Sequence, residues 1–224
     1  MLPRSVPSIP SLDIAVRMET ATEVGGDYYD FFSSDGVLTA AVGDATGHGL
    51  KAGNMVVATK GLFNVLSSDG SLEDILKTSS LAIKRMNFHM LTMCLALVRI
   101  KDRKIEYASA GMPPMLIFRS DTGEIEQLVL KAMPLGAFVD FPYTMTESRI
   151  FPGDVILLAS DGLTELFGSN QEPFGSSRVQ KALKESEGRS ADKIVEHILE
   201  RANEWRAGSP LNDDLTVLTI KVRA

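Results

Sequence analysis

Apolar and polar residues alternate with a period of two near both ends of the chain, and recur with a helical period in three long stretches between them. Ile14, Val16 and Met18 interleave with Ala15, Arg17 and Glu19, which predicts a strand. The aromatic run Asp27-Tyr28-Tyr29-Asp30-Phe31-Phe32, the turn Ser33-Ser34-Asp35-Gly36 and Val37 to Val42 predict a hairpin. Past Gly49 the period changes: Ala52, Val56, Thr59, Phe63 and Leu66 recur at helical spacing. Ser71-Leu72-Glu73-Asp74 resembles a capping box at the start of a second helix, carried by Leu72, Ile75, Leu76, Ser79, Ile83 and Met86. Strands are predicted again at 91–100, 104–109, 115–119, 125–129, 144–149 and 154–160, separated by Asp, Gly and Pro turns. A third long helix aligns Ile194, Ile198, Ala202 and Trp205, and Thr216 to Val222 closes the chain as a strand. Strands and helices come in runs rather than alternating, which predicts an α+β fold with antiparallel sheets.

Composition narrows the class. The 224 residues are 44% hydrophobic and 23% charged, enough to bury a core and too apolar for a disordered chain. Neither a repeat nor a low-complexity linker divides them, so the expectation is one domain over 1–224, with residues 1–11 (Pro3, Pro7, Pro10) extended along the surface. A net charge of −6 argues against nucleic acid or an anionic membrane as the main partner. The single cysteine, Cys94, forms no internal disulfide and reads as a core residue, and no Cys/His cluster suits zinc. His89 and His197 read as surface or helix-face residues. No apolar run reaches the ~18 residues of a membrane span, and the first residues do not read as a signal peptide; the expected location is cytoplasmic.

With few imidazoles and no thiol cluster, any metal must be held mainly by carboxylates. Acidic residues beside small ones recur at Gly25-Gly26-Asp27, Gly43-Asp44-Ala45-Thr46-Gly47-His48-Gly49, Ser160-Asp161-Gly162 and Asn212-Asp213-Asp214. Clustered carboxylates repel and need cations, and hard oxygen ligands select Mg²⁺ or Mn²⁺. Two such ions sharing a carboxylate suit in-line attack on a phosphoryl group. Spacing alone leaves open whether the four segments converge, since each Asp-Gly also reads as a turn. Gly25-Gly26 is too short for a phosphate loop and reads as a tight turn that aims Asp27.

Val24-Gly25-Gly26-Asp27-Tyr28-Tyr29-Asp30-Phe31 resembles the opening motif of SpoIIE-type protein phosphatases, the bacterial branch of the metal-dependent PPM (type 2C) family. The Gly43–Gly49 segment resembles their second motif, and Gly153-Asp154 with Leu157-Leu158-Ala159-Ser160-Asp161-Gly162-Leu163-Thr164-Glu165 their third. Asn212-Asp213-Asp214-Leu215-Thr216 resembles the closing motif, and Tyr107-Ala108-Ser109-Ala110-Gly111 and Pro134-Leu135-Gly136 fall in family order. The resemblance implies a four-layer α/β/β/α sandwich, two antiparallel sheets flanked by helices, with two Mn²⁺ or Mg²⁺ ions at one edge between the sheets. By motif position Asp44 bridges both ions, the Ala45 carbonyl binds the first, Asp161 and Asp213 hold the second, and Asp27 acts through the first ion's water shell. Asp27 and Asp44 are thereby the catalytic residues. Asp213 is preferred to Asp214 because related eukaryotic motifs place Asp first and Asn second.

The implied reaction is hydrolysis of phosphoserine or phosphothreonine without a phosphoenzyme. The implied substrate is a phosphorylated STAS-type anti-anti-sigma factor in a partner-switching pathway, with an upstream sensor domain or activator; the position of the helix after Gly49, a few residues beyond Asp44 and Ala45, makes it the expected point of regulation. A homodimer is left open. The sequence departs from the family in two places. Thr46 stands where eukaryotic members carry a histidine proposed as general acid, and Met112 stands where many SpoIIE-type domains carry histidine; Met112 reads as a packing substitution. His48 does not inherit the acid role by register and reads as a polar residue between two glycines at a helix start. The alternatives are a catalytically weak phosphatase-like regulatory binding module and a two-metal phosphohydrolase of small molecules, which phosphopeptide-against-nucleotide competition separates.

Overall fold

The computed structural model describes residues 2–68, 70–88 and 91–223; His89 lies outside them. The chain divides into two compact units. The first consists of Thr22–Met112 and Val129–Arg149 with a few N-terminal residues; the second of Val6–Ala21, Pro113–Leu128 and the chain from Ile150 onward. Among the described residues, ten strands form two antiparallel sheets of five, accompanied by five helices, so the α+β expectation holds.

In the first unit, β2 (Asp27–Ser34) and β3 (Val37–Ala45) form the expected hairpin. Its two-residue connection, Asp35-Gly36, has φ of 50° and 76°, the left-handed pair of a type I′ turn whose twist suits a hairpin. The sheet continues through β4 (Met93–Lys101), β5 (Lys104–Ala110) and β8 (Met145–Arg149), in the order β2-β3-β4-β5-β8. Helices α1 (Leu50–Leu66) and α2 (Leu72–Met86) pack on it. Ser71 caps α2 as expected, its Oγ accepting from the Asp74 amide at 3.2 Å and meeting the Asp74 carboxylate at 2.7 Å. The core joins Met55, Val56 and Phe63 of α1 and Leu72, Ile75, Leu76 and Ile83 of α2 to Tyr28, Leu95 and Leu97 of the sheet.

In the second unit, β1 (Leu12–Glu19), β6 (Met115–Phe118), β7 (Ile125–Leu128), β9 (Val155–Ala159) and β10 (Leu215–Val222) are ordered β1-β10-β9-β6-β7. A single turn, α3 (Asp161–Thr164), follows β9, and α4 (Gly175–Glu185) and α5 (Ala191–Arg206) complete the unit. Residues 2–11 carry no helix or strand. Helices α3 and α4 do not show in the pattern of apolar positions. In α4 only Val179, Ala182 and Leu183 form its buried stripe, too little to stand out from Gly175-Ser176-Ser177 before it. That omission also explains His197. It lies on α5 as expected but is 5% exposed, its Nε2 3.3 Å from Glu185 at the end of α4.

Candidate functional site

The first unit brings Asp27, Asp44 and Ala45 together through the hairpin. Asp27 and Asp44 are register partners at its open end. The Ala45 N–H donates to the Gly26 carbonyl at 2.9 Å, one of the bonds that flank a non-hydrogen-bonded pair. In such pairs the Cα atoms are about 4.5 Å apart and the side chains stand side by side. Asp27 is buried and Asp44 half-buried, so two carboxylates face each other where like charges are unfavourable. Cys94 is the register partner of Asp44 on its other side, half-buried rather than in the core, because it lies near the strand end.

Gly26 explains how oxygens gather here. A Cβ at this position would lie 2.5 Å from the Ala45 carbonyl oxygen, 3.0 Å from Asp44 Oδ1 and 3.2 Å from the Gly47 carbonyl oxygen. Glycine thus leaves open a cradle of hard oxygen atoms that any side chain would fill. His48 is exposed between Gly47 and Gly49, whose φ are 85° and 77°, immediately before α1. Thr46 follows Ala45 directly. Its hydroxyl donates to the Thr92 carbonyl at 2.9 Å, accepts from the Thr92 amide at 3.1 Å and lies 2.7 Å from Thr92 Oγ1. A hydroxyl has one proton and two lone pairs, so all three are committed and Thr46 is not positioned as a general acid. Met112 is buried, in keeping with packing, and its amide donates to Ser109 Oγ at 3.2 Å.

The second unit pairs Asp161 with Asp213. Asp161 opens α3 just past β9, and the Asp213-Asp214 turn leads into β10. Ser160 locks the two together, its N–H donating to the Thr216 carbonyl at 3.0 Å and its Oγ accepting from the Thr216 amide at 2.9 Å. Burial, and then the nearby Asp213 charge, hold the Asp161 carboxyl above its ordinary range, against backbone N–H groups that favour ionisation. Asp213 and Asp214 differ sharply. Asp214 is buried, its Oδ1 accepting from the Ala21 amide at 2.8 Å; Asp213 is exposed, its Oδ1 accepting from the Asp214 amide at 2.8 Å.

Among the described residues no group of three or more His, Cys, Asp or Glu side chains stands close enough to hold a metal ion. The carboxylates come as the two pairs, and the Ala45 and Gly47 carbonyls are the further oxygen donors nearby. These carboxylate and carbonyl oxygens fit a hard divalent cation, whose charge would offset the repulsion within each pair.

Two networks escaped sequence reading. Asp30, buried in β2, accepts from Lys60 Nζ at 2.5 Å, Tyr28 Oη at 3.1 Å and Asn64 Nδ2 at 3.2 Å, fastening α1 to the hairpin that carries Asp27. Asp154, already noted within the third motif, is buried and accepts from Arg119 Nη1 at 2.7 Å and the Ser120 amide at 3.0 Å, bracing β6 against the start of β9.

Solved structures share this architecture. The SiaA-PP2C domain of Pseudomonas aeruginosa superimposes with a TM-score of 0.82 at 22% identity, over 93% of this chain and 85% of that one. RsbX, solved in complex with magnesium, superimposes with a TM-score of 0.76 at 20% identity, over 97% and 98%. The fold is therefore that of the PP2C-type phosphatase domains. The profile of the SpoIIE family (Stage II sporulation protein E) matches residues 34–223, and the chain belongs to that family. Phosphoserine phosphatase RsbU of Bacillus subtilis (strain 168) is 26% identical over 227 residues, covering 99% of this chain and 66% of the relative. The chain spans between 24% and 66% of the length of four curated relatives that it matches.

Proposed function

We propose that this chain is a divalent-metal-dependent protein phosphatase that hydrolyses phosphoserine or phosphothreonine on a regulatory protein. The observation that carries the reading is the close Asp27–Asp44 pair, set beside the Ala45 carbonyl in the glycine-lined cradle. The RsbU relative, whose name is that of a phosphoserine phosphatase, and the RsbX neighbour with its magnesium support it.

Asp27, Asp44 and the Ala45 carbonyl would hold one Mn²⁺ or Mg²⁺ ion, and Asp161 and Asp213 a second. Asp213 suits the role better than Asp214, since its carboxylate is exposed and close enough to Asp161 to act on its charge, whereas Asp214 is occupied with the Ala21 amide. When bound, such ions supply positive charge for the phosphoryl oxygens and acidify a coordinated water. The protein's part is to keep the carboxylates ionised and oriented on strand ends. Thr46, with its proton held by Thr92, leaves the departing alkoxide to be protonated by solvent.

The substrate class we propose is a phosphorylated STAS-type anti-anti-sigma factor in a partner-switching pathway, met in the cytoplasm, with an upstream sensor or activator. No helix among the described residues is long and apolar enough to cross a membrane. The test is phosphate release from a phosphoserine-bearing protein against release from nucleotides, with Mn²⁺ or with chelator. Mn²⁺-dependent release from the phosphoprotein is expected; preferential nucleotide hydrolysis would overturn the substrate class, and phosphoprotein binding without turnover would favour a regulatory binding module.

A further inference from the structure

We infer that Thr46 and Thr92 form a clip that points the Ala45 carbonyl into the oxygen cradle and so sets the affinity of the cation proposed there; this rests on the function proposed above. Thr46 is a positioning residue in this account, acting through the peptide group that precedes it.

That peptide joins the Ala45 carbonyl to the Thr46 N–H. Because a trans peptide is planar, fixing the N–H fixes the carbonyl in the opposite direction. The Thr46 N–H donates to the Thr92 carbonyl at 3.0 Å, so the Ala45 oxygen is directed away from Thr92. It arrives at Gly26, in company with Asp44 Oδ1 and the Gly47 carbonyl.

The chain beyond does little to hold this orientation by itself. Gly47 and Gly49 both lie at positive φ, with exposed His48 between them, and the next backbone anchor is the Gly49 N–H on the Val24 carbonyl at 2.9 Å. Glycines of this kind permit several peptide orientations at small cost. The Thr46 hydroxyl restricts them, because its contacts with the Thr92 carbonyl, amide and hydroxyl bind the two residues side by side. Thr92 is itself anchored. It precedes Met93, which exchanges two backbone bonds with Leu135, at 3.2 and 2.8 Å, and pairs with Ala45 across the sheet. The clip therefore ties the end of β3 to a point held by backbone pairing.

The test uses the full chain in three variants: Thr46→Val, which keeps the shape and removes the hydroxyl; Thr46→Ser, which restores it; and Thr92→Val, which removes only the hydroxyl–hydroxyl contact. Mn²⁺ affinity is followed by isothermal titration, turnover by Mn²⁺ dependence, and the Thr46 amide by hydrogen exchange in metal-free protein. Thr46→Val is expected to weaken Mn²⁺ binding about 10-fold, with turnover recovering at saturating Mn²⁺ and the Thr46 amide losing protection. Thr46→Ser should bind within about 2-fold of wild type, with Thr92→Val between the two. A folded Thr46→Val that binds Mn²⁺ as tightly as wild type, or a Thr92→Val equal to wild type where Thr46→Val fails to fold, overturns the clip and leaves the proposed function standing. A wild-type protein that binds no Mn²⁺ overturns the proposed function, and the clip's role with it.

Discussion

Gly162 offers a sharp test of how the second carboxylate pair is built. Its backbone is not in the left-handed region, so an alanine there faces no conformational penalty; only space decides the outcome. A Cβ would lie 1.9 Å from the Asp214 carbonyl oxygen and 2.9 Å from its carbonyl carbon, both backbone atoms with no rotamer to change. Restoring ordinary contact requires the Asp213-Asp214 turn and α3 to part by about 1.5 Å. The turn is also held to the start of α3 by the Ser160–Thr216 bonds and fastened by the Ala21 amide on Asp214, so the shift strains hydrogen bonds as well as packing. Overpacking of this severity costs about 3 kcal/mol, which for a chain of this size lowers Tm by roughly 6–12 °C. Because Asp161 directly precedes Gly162, the Asp161–Asp213 pair is pulled apart as well. Differential scanning calorimetry of metal-free protein and Mn²⁺ titration of the folded variant read the two effects separately. A Gly162→Ala protein with wild-type Tm and wild-type Mn²⁺ affinity would rule out the close approach of α3 and the Asp213-Asp214 turn.

Two further outcomes follow from the networks around the site. Lys60→Met strands the Asp30 carboxylate at 5% side-chain exposure with only neutral donors; since Lys60 itself is 32% exposed, the loss is discounted to about 2 kcal/mol, measurable by urea denaturation, and an unchanged midpoint would show that the ion pair does not hold α1 to β2. In metal-free protein the raised Asp161 pKa means that the folded state binds more protons than the unfolded one between the ordinary Asp value and the raised one, so this contribution to stability falls as pH rises through that window. Asp213→Asn removes part of the cause and should flatten that slope in denaturation curves recorded upward from the ordinary Asp value; an unchanged slope would contradict the pairing.

Much of the fold was legible because alternation and helical spacing are produced by the same burial that forms the sheets and helices. The stripe of Ile194, Ile198 and Ala202 lies buried on α5, and the strand predicted at 37–42 extends only three residues further, to Ala45. The facing of Asp27 and Asp44 was latent in the turn. Once Asp35-Gly36 is recognised as a two-residue type I′ connection, counting outward equally along both strands brings Asp27 to Asp44. The Thr46–Thr92 clip was not legible, because its partners are 46 residues apart and neither carries a motif of its own. The buried setting of His197 was hidden for a related reason: Glu185, its neighbour, belongs to α4, whose short apolar stripe did not register.

On the function proposed above, a divalent cation held by the strand-end carboxylates drives phosphate release. Its most direct test is the rate of phosphate release from a phosphoserine protein substrate by wild type and Asp44→Asn, each with saturating Mn²⁺ and with chelator. Asp44→Asn keeps the size of the side chain and the hairpin register while removing one charge of the Asp27–Asp44 pair. Wild type is expected to be active only with Mn²⁺, and Asp44→Asn to lose at least ~10²-fold of that rate, on the scale of removing a transition-state electrostatic contact. Wild-type turnover in the presence of chelator, or undiminished turnover by folded Asp44→Asn, would contradict it.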